Sequence, residues 1–431
     1  MIQLELSKIS KEELIEKYLE LEKENERLKK KLRRYENPHT PPSKDERRIK
    51  SRSNFKSKTG LPVGKRRGYK GRTREKKKPT DFINCFEGLC VKCGKLNTPN
   101  KIKEKIYEEI PKPQPTKVIQ ARWGYYKCGC GHSWESKHPD IPLIGQVGKN
   151  AQTHITLLRF DDRLPLRKTA AALERQFDFK VTSKAVFDIT QRVGAKVTPK
   201  YKEIQKKIRR AKVLNIDETK IKVQGVWYYV WIFRSSKFIF FTIRRQRNRK
   251  VLDEILGYNY KGIIGCDGLS AYKEYTKYLQ RCWAHILRET KELAEKYDDA
   301  KPMHQWMKDL FAIVKSASIK DPPSKRRKIY DKCVREMTWL IERFSSYNHL
   351  TKVITTIKNG LEFWFTRILH PTVEPTNNRA ENGLRELVVM KKIMGTLRNE
   401  QGAEIFAKIM TLISTWRLQA KSPYAELRAL L

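Results

Sequence analysis

The chain has 431 residues and a formal net charge of +44, since 92 Lys and Arg face only 48 Asp and Glu. Its 39% hydrophobic residues are enough for several globular domains. The cationic excess predicts a polyanionic partner, with nucleic acid first. An anionic membrane surface is a poorer candidate, because no long apolar segment or lipidation signal accompanies the charge. The amino terminus is too charged for a secretory signal, so we expect a cytoplasmic, nucleoid-associated protein.

Residues 11–36 are predicted to form one helix with a heptad seam. The seam positions are Leu14, Tyr18, Leu21, Asn25, Leu28, Leu32 and Tyr35. A single Asn at an a position fixes register in parallel two-stranded coiled coils, so Asn25 favours a homodimer. The alternative is one charged helix that packs on its own chain.

Residues 37–80 are predicted to form a flexible basic linker. Between 41 and 80 there are 16 Lys and Arg but only three acidic residues, with Pro and Gly scattered among them. Such a segment can follow phosphates without reading bases. A linker that merely keeps the protein soluble is the alternative, but solubility does not require charge of one sign.

Two close cysteine pairs indicate a structural zinc site in a ribbon domain. The pairs are Cys90 with Cys93 and Cys128 with Cys130. Each lies in a Gly-containing turn beside strand-like stretches (101–110 and 116–128), as two thiolates aimed at one tetrahedral ion require. His132 could replace one cysteine as a ligand, and Cys85 is a further candidate. Spare thiols are the alternative interpretation.

Residues 150–195 are predicted to be helical. Two short amphipathic segments, "PLRKTAAALERQF" and "TSKAVFDITQRVG", are joined by "DFKV", and Thr182 or Ser183 is a plausible N-cap of the second. The pair is similar to a helix-turn-helix that reads DNA. Plain packing of two helices is the alternative.

From about residue 211 the pattern becomes mixed α/β. Three strand-like runs, 212–223, 226–235 and 237–245, have links short enough to predict antiparallel neighbours. A helix over 248–257 then leads to a buried strand over 261–268. Residues 282–370 are predicted to be mainly helical with a loop at 321–328, and 377–431 to be helical again.

Acidic residues stand at three places in this region where apolar ones are expected. Asp217 lies in the run "VLNIDETKIKV", where alternation puts it on the apolar face and Glu218 on the other, toward solvent or a helix layer. Asp267 ends the apolar run "GIIGC". Three antiparallel strands, a crossover helix and a fourth strand would bring these two positions together, as in a ribonuclease-H-like sheet. A buried carboxylate is costly unless it is paired or binds a metal.

Glu381 is the third acid, and helical periodicity points it inward at a helix start. Alternatively, Asn378 and Glu381 form a capping box in which Glu381 only satisfies a backbone N–H. Two Asp and one Glu are hard oxygen ligands that suit Mg²⁺ or Mn²⁺. Two such ions, about 3.5–4 Å apart, activate a water or a 3′-hydroxyl and stabilise the leaving oxygen of a phosphodiester.

These motifs together resemble DDE transposases of the insertion-sequence-66 type, from about residue 60 to 425. The resemblance rests on "GKRRGYKGRTREKKKPTD", the cysteine ribbon, "LPLRKTAAALERQF", "NIDETKIKV", "GCDGLSAYKEY", "CWAHILRE", "NNRAENGLRE" and "GAEIFAKIMTLISTWRLQAKSPYAEL". It implies that Asp217, Asp267 and Glu381 form the DDE triad and hold two Mg²⁺ or Mn²⁺ ions per active site. The chain would nick the ends of an insertion sequence and transfer the freed 3′-hydroxyls to target DNA.

The resemblance also assigns supporting roles. The family's Cys-x-x-His motif falls on Cys282 and His285 beside Arg288; His285 and Arg288 would support the site or contact the scissile phosphate. Asn377 and Asn378 would orient Glu381. Arg385 would hold a phosphate bidentately. Further cations are expected to contact the DNA backbone: Arg244, Arg245, Arg247, Arg249, Lys391 and Lys392.

The expected architecture is a multidomain α/β protein. Its segments are a coiled coil (1–36), a basic linker (37–80), a zinc ribbon (81–140), a helix-turn-helix-like region (141–204) and a ribonuclease-H-like catalytic domain (205–431) with a helical insertion at about 290–370. Expected partners are double-stranded DNA and small accessory proteins of the same element. Thr376, Asn382 and Lys391 depart from the family pattern without removing a carboxylate. A catalytically silent DNA-binding regulator and a structure-directed nuclease are the alternative functions.

Overall fold

A computed structural model describes residues 114–136, 138–142 and 144–431 of the chain. Before residue 114 it describes residues 15, 18–22, 24–26, 28, 78–80, 82–83, 85, 92–96 and 102–107. The chain divides into two compact units, residues 1–112 and 113–431.

In the first unit, the described residues between 15 and 28 are helical and exposed. They include four predicted seam residues, Tyr18, Leu21, Asn25 and Leu28, while Leu14, Leu32 and Tyr35 lie outside the described residues. The coiled coil therefore stays a prediction, as does the basic linker, of which only residues 78–80 are described. The strand predicted over 101–110 is wrong where it can be compared, since 102–107 have no regular structure.

The second unit begins with a two-stranded antiparallel sheet, followed by a helical region. The strands are β1 (Tyr125–Lys127) and β2 (Ser133–Glu135). The helices are α1 (Lys149–Phe160), α2 (Leu166–Phe177), α3 (Ser183–Lys196) and α4 (Thr198–Arg209). The two helices predicted at 150–195 are therefore present as α2 and α3. Thr182 is the N-cap of α3, and its hydroxyl accepts a hydrogen bond from the Ala185 N–H at 3.1 Å.

A five-stranded mixed sheet follows. Its strands are β3 (Val213–Val223), β4 (Val226–Arg234), β5 (Ile239–Arg244), β6 (Ile263–Cys266) and β7 (Leu279–Arg281). The spatial order is β5-β4-β3-β6-β7, with β3, β4 and β5 antiparallel and β3, β6 and β7 parallel. The crossover helix α5 (Arg249–Leu256) precedes β6, and α6 (Ser270–Tyr275) precedes β7. The three predicted antiparallel strands and the buried fourth strand are thus present.

The edge strand β5 is covered by the helix α13 (Glu400–Leu418). The Thr415 hydroxyl accepts from the Ile239 N–H at 3.1 Å and donates to its carbonyl at 2.8 Å. The Thr411 hydroxyl accepts from the Phe241 N–H at 2.9 Å. These bonds satisfy backbone groups that a free edge strand would present for pairing with another chain.

The segment between β7 and α12 (Asn378–Met394) is helical, and its apolar side chains form a hydrophobic core of their own. Its helices are α7 (Trp283–Lys296), α8 (Lys301–Ser316), α9 (Pro323–Phe344), α10 (Thr351–Asn359) and α11 (Thr366–Leu369). The predicted loop at 321–328 is correct only for residues 321–322, because α9 begins at Pro323. Proline is well tolerated in the first turn of a helix, where its missing N–H has no intrahelical acceptor.

The chain ends with α14 (Pro423–Leu430), which packs with α13 into the core of the sheet region. None of the helices within the described residues is long and apolar enough to cross a membrane.

Candidate active site

Two of the three predicted carboxylates lie together at the centre of the sheet. Strand β3 pairs in parallel with β6, and the register from Val213 opposite Ile263 to Asn215 opposite Gly265 brings Asp217 toward Asp267. Asp217, Glu218 and Asp267 each offer a carboxylate oxygen, and these atoms all lie within 4.8 Å of one another. The crossover topology therefore concentrates three acids at one point of a strongly basic protein.

Asp267 is held by the loop that follows β6. Its Oδ1 accepts from the Leu269 N–H at 3.0 Å, and its backbone carbonyl accepts from Arg281 Nη1 at 3.0 Å. Arg281 is the last residue of β7, a strand that was not predicted, because three residues are too few to show an alternation of apolar and polar side chains. The missed strand thus supplies a side chain that fixes the backbone of a predicted ligand.

Burial is the main perturbation of Asp217. It raises the pKa of this carboxyl group to about 7, and the charges of Glu218, Asp267 and Glu381 act in the same direction. The N–H of Glu218 donates to Asp217 Oδ1 at 2.9 Å and opposes the shift. An acid crowded by other acids and removed from water is stabilised in its ionised form by a cation, so this environment fits a metal ligand.

Glu218 lies on the opposite face of β3, in the helix layer rather than in solvent. Its side chain is 1% exposed. The Tyr272 hydroxyl donates to its Oε2 at 2.7 Å, and Arg247 Nε donates to its Oε1 at 2.8 Å. Arg247 Nη2 also lies 4.0 Å from Asp267 Oδ2. Burial and the charge of Asp267 raise the pKa of Glu218, while Tyr272 and Arg247 lower it.

Glu381 lies in the first turn of α12, and its Oε1 is buried without a hydrogen-bond partner. The capping-box alternative is wrong: the helix begins at Asn378, and its N-cap, Asn377, makes no side-chain capping bond. His285 Nδ1 lies 3.9 Å from Glu381 Oε1. A buried oxygen left without a partner indicates an absent ligand, such as a cation.

Cys282 and His285 lie beside Glu381. Together the three residues form a second group whose potential ligand atoms all lie within 4.8 Å of one another. A hydrogen bond to the Cys282 sulfur raises the pKa of His285 to about 9, and Glu381 and Asp267 add to the rise. Arg288, one helical turn further along α7, is exposed. His285 is therefore adjacent to the acids, while Arg288 faces solvent.

The side chain of Asn377 joins α12 to the strand that carries Asp217. Asn377 is 1% exposed, its Oδ1 accepts from Asn215 Nδ2 at 3.1 Å, and its Nδ2 donates to the Ile216 carbonyl at 2.8 Å. Its backbone N–H donates to the Cys282 sulfur at 3.1 Å. A Cβ at Gly265 would lie 2.7 Å from Asn215 Nδ2, so a glycine there leaves room for this network. Asn378, by contrast, is exposed.

Replacing Asn377 with Ala is expected to lower the free energy of unfolding by roughly 2–4 kcal/mol, because two buried polar groups on Asn215 and Ile216 lose their partners. The thermal unfolding midpoint measures this loss. Asn378→Ala is the matched control and is expected to change the midpoint little, since its side chain is exposed. Equal shifts in the two variants would contradict the role given to Asn377.

The predicted DNA-contacting cations are largely exposed, but several have intramolecular partners. Arg244 forms an ion pair with Glu254, and Arg249 Nε lies 3.4 Å from an Asp253 oxygen. Lys391 Nζ donates to the Lys220 carbonyl at 2.8 Å. Arg247 is paired with Glu218. Three further cations are exposed and have no acidic partner among the described residues: Arg245, Arg385 and Lys392. Contact of any of these cations with DNA stays a prediction.

The structure does not test the predicted zinc site, because Cys90, one of its four predicted ligands, lies outside the described residues. Cys93, Cys128 and Cys130 are exposed free thiols, as is Cys85. Hydrogen bonds from Cys130 lower the pKa of Cys128, which favours the thiolate that a metal needs. The zinc site therefore stays a prediction, with Cys130 and His132 both open as the fourth ligand.

Three residues at this site were not singled out in the sequence: Asn215, Arg281 and Tyr272. An Asn inside a fully buried strand was the available signal for Asn215, since buried amides need partners. Tyr272 and Arg281 gave no such signal, because a Tyr in a helix and an Arg in a short segment are ordinary. The assembled group is a set of hard oxygen ligands lined by an imidazole and basic side chains.

One comparison with known proteins bears on this site. The family model described as "Transposase IS66 family" matches residues 145–405, which is more than half of the chain and includes all three predicted triad acids. No curated protein matches the chain significantly.

Proposed function

Because the chain belongs to the IS66 transposase family, we propose that it cuts DNA at the ends of an insertion sequence and joins the freed 3′-hydroxyls to target DNA. Asp217, Asp267 and Glu381 are the proposed catalytic carboxylates. The observation that carries the proposal is the convergence of Asp217 and Asp267 on adjacent parallel strands, with the unpaired Glu381 oxygen close enough to raise the pKa of Asp217.

The sheet supports a ribonuclease-H-like catalytic domain. Its three antiparallel strands, crossover helix and parallel fourth strand follow the arrangement predicted from the acids, and β7 adds an unpredicted fifth strand. In this proposal the domain spans 205–431, and the helices between β7 and α12 form its insertion. The proposed segments before it are the coiled coil (1–36), basic linker (37–80), zinc ribbon (81–140) and helix-turn-helix-like region (141–204), with α2 and α3 reading DNA.

The carboxylates fit divalent cations. Their donors are hard oxygens, which suit Mg²⁺ or Mn²⁺, and two ions are expected per site. The buried Glu381 Oε1 has no hydrogen-bond partner, its nearest cation being His285 at 3.9 Å, and Asp217 has no ion pair among the described residues. When bound, such ions supply Lewis-acid polarisation of the phosphate and favour an ionised hydroxyl nucleophile.

The remaining side chains would position the acids and the DNA. Asn377 holds the start of α12 against β3, which keeps Glu381 near Asp217. His285, whose raised pKa keeps it protonated at neutral pH, would place a positive charge beside the reacting phosphate. Arg288 and Arg385 are exposed and would bind the same DNA backbone. No covalent protein–DNA intermediate is required.

A catalytically silent DNA-binding regulator is not favoured. A protein that only binds DNA has no use for three acids whose carboxylate oxygens lie within 4.8 Å of one another, since crowded carboxylates without a bound cation destabilise a fold. A structure-directed nuclease on the same fold would cleave without joining and would not require specific ends. The proposed partners are double-stranded DNA, a second copy through the coiled coil, and small accessory proteins, in the cytoplasm at the nucleoid.

The test uses the purified full chain, Mg²⁺ and a DNA that carries the gene with its genomic flanks. Wild-type protein is expected to produce 3′ ends at a pair of inverted repeats and joined products, which sequencing of the ends maps. Glu381→Gln is expected to lose both activities. The matched control on the same helix is Glu386→Gln, which replaces the partner of Arg163 and should retain activity.

The outcomes separate the candidate functions. Cleavage without joining and without defined ends would favour the nuclease. Tight binding with no cleavage by either protein, even after the neighbouring gene products are added, would contradict the proposed enzyme and favour the regulator. Equal loss in Glu381→Gln and Glu386→Gln would remove Glu381 from the catalytic set.

A further inference from the structure

A cavity of about 480 Å³ lies at the amino-terminal edge of the five-stranded sheet, where α4 ends and where β3 and β6 begin. We call it the basic cavity. Its lining comes from two segments, residues 209–212 and 260–263, together with one tyrosine before β7 and one histidine after α11. The lining cations are Arg209, Arg210, Lys212 and Lys261. His370 also lines the cavity, and burial and the charge of Arg326 lower its pKa, so it adds no positive charge at neutral pH.

The basic cavity has no acidic side chain in its lining, all of which is described. Arg209 is held in place by backbone carbonyls: its Nε donates to the Ile255 carbonyl at 2.6 Å and its Nη2 to the Glu254 carbonyl at 2.7 Å. Arg210, Lys212 and Lys261 are exposed and have no ion pair among the described residues. Three exposed cations thus line one depression without an acidic side chain, which favours an anion as ligand.

One hydrogen bond and one close backbone contact brace the wall of the basic cavity. The Tyr260 hydroxyl donates to the Ala211 carbonyl at 2.7 Å, which joins the start of β6 to the end of α4. A Cβ at Gly262 would lie 2.3 Å from the Tyr260 hydroxyl and 2.7 Å from the Ala211 carbonyl, so a larger residue would disturb this contact. The ring of Tyr278 is 46% exposed at the rim. The cations therefore surround a preformed depression.

The basic cavity lies apart from the carboxylates. Lys212 precedes Asp217 by five strand residues, which corresponds to roughly 16 Å along β3. On the neighbouring strand, Gly262 precedes β6 and Asp267 follows it, so the two sites lie at opposite ends of that strand. A ligand in the basic cavity would not occupy the proposed catalytic site.

We propose that the basic cavity binds backbone phosphates of duplex DNA, outside the segment held at the carboxylates. This inference rests on the proposed function, because it takes DNA as the polyanion. Exposed lysines and arginines at a rim are suited to a continuous backbone that passes over them. A small phosphate ligand would instead be enclosed, with buried donors around most of its surface.

The test compares full-length wild-type protein, Lys212→Ala/Lys261→Ala, and the control Lys320→Ala/Lys358→Ala, whose two lysines are exposed in the helical insertion. Duplex DNA affinity is measured by fluorescence anisotropy at several salt concentrations in EDTA. The first variant is expected to show a salt slope shallower than that of the control by roughly 1–2, because each lost phosphate contact contributes about 0.9. Affinity and slope equal to those of the control would overturn the proposal.

A second measurement uses unmodified protein and reads the acylation rates of individual lysines by mass spectrometry. Duplex DNA is expected to slow the modification of Lys212 and Lys261 and to leave Lys320 unchanged. Equal protection of Lys212 and Lys261 by inorganic phosphate would overturn DNA as the occupant. Neither measurement depends on DNA cleavage. A wild-type protein that binds DNA at the basic cavity but shows no cleavage in the Mg²⁺ assay would therefore contradict the proposed enzyme and leave the proposed DNA site intact.

Discussion

Replacing Asp217 with Asn is expected to reduce DNA strand cleavage by roughly a thousandfold or more, because a ligand that serves only the transition state contributes several kcal/mol. The same substitution is expected to raise the thermal stability of the metal-free protein above pH 7. Both effects have one cause, which is a carboxylate held where only a cation or a proton stabilises it. Activity and stability therefore change in opposite directions.

The pH dependence follows from the pKa of Asp217, which burial and the neighbouring acids raise to about 7. At pH values between the ordinary pKa of an aspartic acid and about 7, the folded protein holds a proton on Asp217 that the unfolded chain has already lost. The contribution of this group to the free energy of unfolding therefore falls as the pH rises through that window. Above pH 7 the ionised group destabilises the fold by roughly 2–4 kcal/mol. Asn carries no such charge and removes the effect.

Thermal unfolding of the wild type and Asp217→Asn in EDTA, at pH 5 and pH 8, measures this difference. The advantage of the variant is expected to be larger at pH 8, and added Mg²⁺ or Mn²⁺ should stabilise the wild type more than the variant. Asp331→Asn, at a half-buried position of α9 where the acid already has Arg327 as its cation, is the matched control. A difference in midpoint that is the same at both pH values would contradict the burial of a charged Asp217.

Replacing Arg247 with Met is expected to lower the free energy of unfolding by roughly 2–3 kcal/mol at pH 8, because it leaves the buried Glu218 carboxylate without its cation. Arg247 itself is 40% exposed, so the loss comes mainly from the stranded acid and not from the ion pair as such. The pKa of Glu218 is already raised by burial and by Asp267. Lowering the pH should therefore neutralise Glu218 and recover part of the stability.

The thermal unfolding midpoint measures the stability lost in Arg247→Met. A double variant tests whether the unpaired Glu218 carboxylate causes this loss. Arg247→Met combined with Glu218→Gln is expected to be more stable at pH 8 than Arg247→Met alone, since no buried charge is left unpaired. Arg245→Met is the matched control two residues away, with an exposed side chain and no acidic partner in the described part of the chain. No recovery in the double variant would show that Glu218 is not what Arg247 stabilises.

Short-range patterns were sufficient for the elements that carry the acids. Alternating β-branched and aromatic residues predicted β3, β4 and β5, and short links predicted their antiparallel order. The position of Asp267 at the end of an apolar run predicted its place at the end of β6. These inferences succeeded because strand identity and hairpin pairing depend on neighbours in sequence.

The environment of each acid could not be predicted in the same way. From the sequence, the side chain of Glu218 could face either solvent or a helix layer. In the structure Tyr272 of α6 and Arg247 both donate to its carboxylate, which is therefore buried and paired. The capping-box interpretation of Glu381 was equally consistent with the sequence. It fails because the helix begins at Asn378, and the side chain of the N-cap Asn377 binds the Ile216 carbonyl of β3, 161 residues away in sequence.

The sequence by itself determined the basic character of the protein, the strand pattern, the three acids and the family resemblance. The tertiary structure alone decided how Asn377 ties α12 to β3, how Glu218 is neutralised, and where cations from separate segments converge on the basic cavity. The physical reason is one of range. Periodicity and capping are set within a few residues, whereas the pKa of a carboxyl group and the convergence of charges depend on which distant segments exclude water around them.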